Sequence, residues 1–344
     1  MKVAIIHVGS HKTGSTSIQK SLALSKQNLN KHSIDYFNDY ASKTQLLSVK
    51  FRNRVGGKQF LNSNDASWEA VQKNSLKSWA TLSERVKNGH TYTIISEEFL
   101  LRLQDTDALY RTLKKIFDKI IIVAYIRSPT SWLPSSVDQR IRAGQTVDEI
   151  ALGGRALPRL LGKLDRYCRT FGMENMIVRH FDTKNMFGCG PVTDFAHIIS
   201  NVIGANINLE DPGQANSGLP AGVVAYFMNE NQDRCVQKIE RDQAWFNRRN
   251  TLISAIRKDR DLMSGNKLKL NNKILIGHLW NVFSEEINEI NSRYLTNQLV
   301  IDIGEIGMKL SVPSLACTLS EWIISHDNML VNYRLDQLRR KLFE

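Results

Sequence analysis

Short apolar runs alternate with helical patterns over the first 205 residues of this 344-residue chain. Runs rich in β-branched and aromatic residues, separated by such patterns, are typical of parallel strands joined by crossover helices. Strands are predicted at 2–8, 91–96, 119–126 and 176–181. The pattern therefore predicts an α/β fold, a parallel sheet flanked by helices.

Helices are predicted where apolar residues recur every three or four positions, and Gly or Pro punctuates several of their ends. Between the strands they are predicted at 15–27, 66–88, 105–117, 130–143 and 156–171. After about residue 205 the pattern becomes helical throughout, with helices predicted at 219–258, with breaks, at 273–294 and at 331–342. Segment 297–318 has no pattern that assigns it to a helix or a strand.

The chain contains no internal repeat, low-complexity tract or flexible linker that would separate two domains. One α/β domain is predicted over 1–300, with its helical portion from about 206, and a helical extension over 301–344 is predicted to pack on the same domain. The polar, basic connection at 41–63 is too long for a simple crossover, and is expected to be either a functional loop or a poorly ordered one.

Composition narrows the function classes. The apolar fraction of 42% and the charged fraction of 23% are those of an ordinary globular protein. No apolar run is long enough to span a membrane, and the first residues do not resemble a signal peptide, so a cytoplasmic protein is predicted. The four cysteines are far apart in the sequence and form no C-x-x-C pair, which argues against a zinc site and a disulfide framework. A net charge of +12 indicates an anionic partner, but without a Lys/Arg block or an RNA-binding pattern nucleic acid is disfavoured.

The most informative stretch is HVGSHKTGSTSIQ at 7–19, where the first strand passes through a Gly-containing turn into a helix. A helix N-terminus presents unpaired backbone N–H groups and the positive end of the helix dipole, which together bind phosphate-like anions. The residues predicted to bind such an anion are Lys12, Thr13, Gly14, Ser15, Thr16 and Ser17. The alternative is a plain connection in which the Ser and Thr side chains only cap the helix.

An ATP- or GTP-binding P-loop is the first ligand class to consider for this turn. That motif requires G-x-x-x-x-G-K-[ST], with the lysine directly after the second glycine. Here Ser15 follows Gly14, and Lys12 lies two positions before that glycine. Because the P-loop lysine is absent, an NTP-dependent kinase of P-loop-like fold is kept only as the alternative enzyme class.

The segment KTGSTS resembles the K-[TS]-G-[TS]-[TS] signature of sulfotransferases, which bind the 5′-phosphosulfate of 3′-phosphoadenosine 5′-phosphosulfate (PAPS). A second window, YIRSPTSWLPSSV, resembles the R-x-P-x-x-x-x-x-S pattern with which this superfamily binds the 3′-phosphate, and it contains Arg127 and Ser135. An arginine at a strand end and a hydroxyl on the next helix suit a phosphate. VRHF at 178–181 and the pair Asp194 and Phe195 extend the similarity, which covers roughly 1–300, to bacterial members that include carbohydrate sulfotransferases.

This resemblance implies a sulfotransferase-type fold and a PAPS-dependent transfer that leaves 3′,5′-adenosine bisphosphate, with no metal. It also implies that Lys12 stabilises the leaving phosphate, and that the acceptor is a hydroxyl of a saccharide or a small metabolite. The alternative is a non-catalytic nucleotide- or glycan-binding relative. Acceptor recognition is expected from 41–63 and from the helices after 205, where the basic stretch 52–58 would suit an anionic glycan or be ordinary surface charge.

The acceptor hydroxyl must lose a proton, which requires a general base near the sulfur. Two carboxylates follow the second predicted strand, and Glu97 is chosen as the base with Glu98 as a close second. The alternative is that either carboxylate caps a short helix at 98–103 or forms a surface ion pair. His7 lies within the first strand and is predicted to be a packed core histidine, whereas His11 is expected to touch the ligand without acting as the base.

Overall fold

The computed structural model describes residues 1–10, 12–37, 47–52, 67–152, 159–213, 218–296 and 310–343. The chain forms two compact units. The first consists of Met1–Arg127, Arg159–Ala215 and Glu286–Leu299, and the second of Ser128–Pro158, Asn216–Glu285 and Val300–Glu344. Compact units need not coincide with domains, and the predicted domain bounds at 300 and 301 stay a prediction.

The first unit contains a five-stranded parallel sheet, with strands in the order β2-β3-β1-β4-β5. The strands are β1 (Val3–His7), β2 (Ile34–Phe37), β3 (Tyr92–Ser96), β4 (Lys119–Ile126) and β5 (Met176–His180). All four predicted strands are present, but strand β2 was not predicted. Its sequence IDYF carries an acidic residue, Asp35, that is buried because Arg85 pairs with it.

The helices account for most of the remaining described residues. They are α1 (Ser15–Leu24), α2 (Lys26–Lys31), α3 (Trp68–Asn88), α4 (Thr106–Lys114), α5 (Pro129–Arg142), α6 (Val147–Leu152), α7 (Leu161–Phe171), α8 (Pro191–Ile203), α9 (Ala221–Val236), α10 (Gln243–Lys258), α11 (Arg260–Met263), α12 (Lys273–Tyr294), α13 (Val312–Ile324) and α14 (Met329–Phe343). Short 3₁₀ helices cover Leu47–Phe51, Glu98–Arg102, Met173–Asn175 and Phe187–Cys189. No helix among these described segments is both long and apolar enough to cross a membrane.

Helices α1 and α8 pack on one face of the sheet in the first unit. Ile18 and Leu22 of α1 and Phe195 of α8 join a buried cluster with Ile5 and Tyr125 of the central strands. These side chains lie on one side of the sheet because strand side chains alternate between its two faces. Helices α4 and α7 contact strands β4 and β5 respectively and each other. The prediction of a parallel sheet flanked by helices is therefore confirmed.

The second unit is helical. Helix α9 contacts α5, α13 and α14, and helix α10 contacts α14. Trp322 of α13 and Phe227 of α9 are among its most buried side chains. The prediction of a helical C-terminal part is confirmed, and the predicted helix at 273–294 has the bounds of α12.

Several predicted boundaries differ from the structure. The predicted helix 15–27 is interrupted at Ser25, which separates α1 from α2 and whose Oγ accepts a hydrogen bond from the N–H of Glu210. The predicted helix 219–258 is two helices, α9 and α10. Of the unassigned segment 297–318, residues 297–309 lie outside the described residues and helix α13 begins at Val312.

Candidate functional site

Three candidate segments leave the same edge of the sheet. In the parallel register His7 of β1 pairs with Ser96 of β3 and with Val123 of β4, so these three strands run in one direction side by side. The turn 8–14 follows β1 and the two glutamates follow β3. Arg127 follows β4. The carboxyl ends of parallel strands are where open α/β sheets bind ligands.

The turn between β1 and α1 has an unusual backbone. It is hereafter the lysine turn, described at residues 8–10 and 12–14. Gly14 is in the left-handed region, at φ 76°. A Cβ on Gly14 would lie 2.8 Å from Pro191 Cγ and 3.0 Å from Phe181 Cε2, so the site requires glycine for space as well as for conformation. Lys12 also has a positive φ, of 67°, which costs free energy for a residue with a side chain.

The hydroxyl groups of the turn and of the first helical turn have different roles. Thr13 is fully buried, and its Oγ1 donates a 2.6 Å hydrogen bond to the Ser10 carbonyl, so this hydroxyl closes the turn. Ser15 Oγ is buried without a hydrogen-bond partner. Thr16 and Ser17 are half-buried. Ser15 is therefore the hydroxyl at the helix N-terminus whose hydrogen bonding the fold leaves incomplete.

Some backbone N–H groups at the start of helix α1 are already used in hydrogen bonds within the helix. The N–H of Ser17 donates to the Gly14 carbonyl at 2.9 Å, and that of Ile18 donates to the same oxygen at 3.1 Å. Ser17, one of the predicted anion-binding residues, therefore uses its N–H inside the helix. Ser15 and Thr16 are the first two helical residues, whose N–H groups precede the first i to i−4 bond.

Arg127 lies against the lysine turn. Its Nη1 donates a 3.0 Å hydrogen bond to the Lys12 carbonyl, and its guanidinium carbon lies 5.4 Å from the centre of the Phe181 ring. Burial lowers the pKa of Arg127, although an arginine stays charged at neutral pH. The sequence-predicted lysine and arginine are thus brought to one turn at the sheet edge.

The predicted partner of Arg127 has a different setting. The second unit begins at Ser128, and Ser135 lies half-buried in helix α5 of that unit. The pairing of Arg127 with Ser135 on one phosphate stays a prediction.

Glu97 is buried at the end of β3, with 3% of its surface exposed. Its Oε1 accepts a 3.0 Å hydrogen bond from the N–H of Ser48, in the short helix Leu47–Phe51. Burial raises the pKa of Glu97 from 4.5 to about 7, against hydrogen bonds from Ser48 and the charge of Arg52, which lower it. Its side chain makes no capping hydrogen bond to the helix that follows, and its burial does not fit a surface ion pair. The role of Glu97 as the base stays a prediction.

Glu98 lies beside the lysine turn. A Cβ on Gly9 would lie 3.3 Å from Glu98 Cγ and 2.3 Å from Ser15 Oγ, so glycine at this position lets both side chains approach the backbone of the turn. Glu98 is half-buried. The two adjacent carboxylates therefore have different neighbours: Glu97 contacts Ser48, and Glu98 lies beside the lysine turn.

His7 is a core histidine, as predicted. It is fully buried, its Nδ1 lies 2.8 Å from Ser96 Oγ, and its ring packs against Tyr125 and Phe195 at centroid distances of 5.7 and 5.4 Å. Burial lowers the pKa of His7 to about 4, so the ring is neutral at pH 7. His11 lies outside the described residues.

His180 is a neighbour of Arg127 that the sequence reasoning missed. It ends strand β5, pairs in register with Ile126, and its Nδ1 is buried without a hydrogen-bond partner. Burial lowers the pKa of His180; the charge of Asp182 opposes this shift, and the charge of Arg127 adds to it. The signal was available in the sequence, because a polar residue at the end of a strand next to β4 is placed at the same sheet edge as Arg127.

The basic stretch predicted to contact an acceptor is described only at its first residue. Arg52 Nη2 donates a 2.8 Å hydrogen bond to the Phe99 carbonyl, and residues 53–58 lie outside the described residues. Within the described part of the chain, no group of three or more His, Cys, Asp or Glu side chains is placed to hold a metal ion.

Comparisons with known proteins identify one structural likeness. No protein-family profile matches the chain, and no curated protein matches it significantly. Among solved structures, a sulfotransferase from Alicyclobacillus acidocaldarius is similar with a TM-score of 0.41 and 13% sequence identity, over 72% of this chain and 99% of that chain. At that identity and TM-score, the likeness assigns no activity to this chain by itself.

Proposed function

We propose that this protein is a PAPS-dependent sulfotransferase that transfers a sulfuryl group to a hydroxyl of a saccharide or a small metabolite. The observation that carries the proposal is the 3.0 Å hydrogen bond from Arg127 to the carbonyl of Lys12. It joins the two motifs, which are 115 residues apart in the sequence, at one turn. Two cationic side chains beside a helix N-terminus suit a ligand that carries more than one anionic group.

In this proposal the lysine turn holds the 5′-phosphosulfate. The side chain of Lys12 neutralises the charge that develops on the leaving 5′-phosphate, and the N–H groups of Ser15 and Thr16 contribute with the helix dipole. The unpartnered hydroxyl of Ser15 supports this assignment, since a buried hydroxyl without a protein partner suits a ligand oxygen. Sulfuryl transfer resembles phosphoryl transfer, in which positioning and charge stabilisation supply most of the catalysis.

Arg127 is proposed to bind the 3′-phosphate. A guanidinium presents its N–H donors in a planar fork that matches phosphate oxygens. The assignment of Ser135 to the same phosphate rests on the sequence spacing alone.

Glu98 is the better candidate for the general base. Its Cγ approaches Gly9 of the lysine turn, whereas the oxygen Oε1 of Glu97 accepts from the backbone of Ser48. A base must reach the proton that it removes, and a carboxylate that is 3% exposed and bonded to another segment is poorly placed to do so. We assign to Glu97 the role of holding the segment 47–52 against the end of β3.

Thermal shift measurements with two nucleotides test the proposal. Adenosine 3′,5′-bisphosphate should bind in the micromolar range without Mg²⁺, and at a hundredfold excess over its Kd it should stabilise the protein by about 3 kcal/mol. ATP with Mg²⁺ should stabilise it clearly less. The opposite order would replace the sulfotransferase assignment with an NTP-dependent kinase.

Turnover separates an enzyme from a binding protein of the same fold. A screen of saccharide and small-metabolite acceptors with ³⁵S-labelled PAPS should yield a labelled product that is lost in Lys12→Ala. Tight binding of the bisphosphate with no transfer to any acceptor would indicate a non-catalytic nucleotide-binding relative.

A further inference from the structure

The first unit contains a cavity of about 560 Å³ that lies apart from the residues assigned to the donor. It is formed by edge strand β5, the segment that follows it and helix α8, and none of its lining residues belongs to the lysine turn. Its polar and aromatic lining consists of Arg179, Lys184, Asn185, Phe187, His197 and Asn201. We refer to it as the edge cavity.

The charged lining of the edge cavity is cationic. Arg179 and Lys184 line it, and no carboxylate is among the described residues that line it. Arg179 is paired through Nε and Nη2 with Asp194, whose side chain is fully buried. That pair offsets part of the arginine charge but fixes the direction of the guanidinium, whose Nη1 has no partner within the described residues. The Nζ of Lys184 has none there either.

Besides Arg179 and Lys184, the cavity has a third nitrogen donor in His197, whose ring stacks on Phe187. The Nδ2 of Asn201 donates a 3.1 Å hydrogen bond to Nε2 of His197. A neutral imidazole whose Nε2 accepts a hydrogen bond carries its proton on Nδ1, so Nδ1 is a donor. The His197 ring stacks on Phe187 with a centroid distance of 4.2 Å and an interplanar angle of 11°, and 55% of Phe187 is exposed.

These features combine an aromatic surface with nitrogen donors and amide groups. An exposed phenylalanine held in one orientation offers a flat apolar face to a ligand ring. Three nitrogen donors, on Arg179, Lys184 and His197, have no partner among the described residues, and such donors suit an anionic group. The side-chain carbonyl oxygens of Asn185 and Asn201 can accept from hydroxyl groups.

We propose that the edge cavity binds an acidic saccharide. A sulfate or carboxylate of the sugar is held by Arg179 and Lys184, and a sugar ring packs on Phe187. The site is independent of the proposed transferase reaction, because it shares no residue with the lysine turn or with Arg127. The net charge of +12 favours the approach of such a ligand.

Isothermal titration calorimetry with a sulfated heparin hexasaccharide tests the proposal on the full chain. Saturating adenosine 3′,5′-bisphosphate is kept present, so that the lysine turn is occupied if it binds that nucleotide. We expect saturable binding, and no measurable binding of the desulfated, N-acetylated hexasaccharide. Binding of both sugars with equal affinity would overturn the recognition of an acidic group.

Substitutions of exposed residues locate the binding. Lys184→Gln should weaken binding of the sulfated hexasaccharide about tenfold, since it removes one charged donor. Phe187→Ala should weaken it about fivefold. Lys26→Gln, which removes another exposed lysine, from helix α2, should leave it unchanged. Melting temperatures within error of wild type for all three variants show that the fold is retained.

Two outcomes contradict the edge cavity as the site. Equal losses in Lys184→Gln and Lys26→Gln would mean that the sugar binds through overall charge alone. Unchanged affinity in both Lys184→Gln and Phe187→Ala would mean that it binds elsewhere. Displacement of the hexasaccharide by millimolar inorganic sulfate would also count against the proposal, because the free anion would then replace the sugar as the ligand. If the protein does not bind the bisphosphate, the saccharide titrations can still be interpreted. Failure of the proposed function can therefore be told apart from failure of the edge-cavity proposal.

Discussion

Two polar centres in the first unit differ in how completely their hydrogen bonds are made. Asp194 is fully buried and accepts hydrogen bonds from the Tyr125 hydroxyl at 2.7 Å, from the Phe187 N–H at 3.0 Å and from Arg179. The lysine turn instead contains Ser15, whose buried Oγ has no partner, and Lys12, whose φ is 67°. A satisfied centre stabilises the fold, whereas strain and unmet hydrogen bonds concentrate where a ligand supplies what is missing.

The comparison predicts the largest stability loss at the satisfied centre. Asp194→Ala should lower the free energy of unfolding by about 3–5 kcal/mol, because it breaks a buried ion pair and leaves the Tyr125 hydroxyl without its acceptor. Urea denaturation measures the change. Asp211→Ala, at an exposed aspartate, should change it by no more than about 0.5 kcal/mol. A loss below about 1 kcal/mol for Asp194→Ala would remove the distinction between the two centres.

At the lysine turn we expect a large loss of activity with little loss of stability. Lys12→Ala should lower kcat by about 10²–10³-fold, since in the proposed reaction it removes the charge that neutralises the leaving phosphate. The free energy of unfolding should stay within about 1 kcal/mol of wild type, because Lys12 is only half-buried and substitutions outside the core are usually mild. Steady-state kinetics with PAPS and urea denaturation measure the two quantities. Lys20→Ala, an exposed lysine on α1, is the control for kcat. A variant that is destabilised by more than about 1 kcal/mol but keeps its kcat would assign Lys12 a structural role.

In the first unit, the strands with an apolar sequence pattern could be predicted, whereas a strand that contains a buried charge could not. The runs TYTIIS and KIIIVAYI were predicted as strands and are β3 and β4. Strand β2 was missed because Asp35 breaks the apolar pattern, and only its pairing with Arg85, 50 residues away, allows its burial. The interruption at Ser25 has a similar origin, since it coincides with a hydrogen bond from Glu210.

The candidate site was predictable at the level of motifs, because Lys12 and Arg127 stand in short windows with fixed spacing. The direction of each side chain was not. Adjacent in sequence, Glu97 and Glu98 approach different neighbours, and Thr13 uses its hydroxyl within the turn. Such orientations depend on distant contacts, such as that between Glu97 and Ser48, which local spacing does not encode.

Glu97 lies between the two extremes of the comparison. It accepts a hydrogen bond from Ser48, yet burial raises its pKa from 4.5 to about 7. Between those pH values the folded state holds a proton that the unfolded state has released, so the stability of the wild type should fall as the pH rises through this window. The full shift corresponds to about 3 kcal/mol.

Denaturation of Glu97→Gln at pH 4.5, 6 and 7.5 measures this contribution. The neutral side chain cannot release a proton, so the variant should gain stability relative to wild type as the pH rises, by up to about 3 kcal/mol. Glu84→Gln, at an exposed position of α3, should show no such trend. Parallel pH profiles for wild type and Glu97→Gln would show that the carboxyl titrates normally, and that it belongs with the fully satisfied groups.

The smallest effect is expected at Arg127, which donates a hydrogen bond to the Lys12 carbonyl of the lysine turn. Arg127→Ala should weaken binding of adenosine 3′,5′-bisphosphate about tenfold, and Arg127→Lys less, since lysine keeps the charge without the planar fork. Calorimetry with AMP, which lacks the 3′-phosphate, separates two roles. If Arg127 binds that phosphate, Arg127→Ala should leave AMP affinity nearly unchanged. If its hydrogen bond to Lys12 only supports the turn, the affinities for both nucleotides should fall by the same factor, and the assignment of Arg127 to the 3′-phosphate would fail.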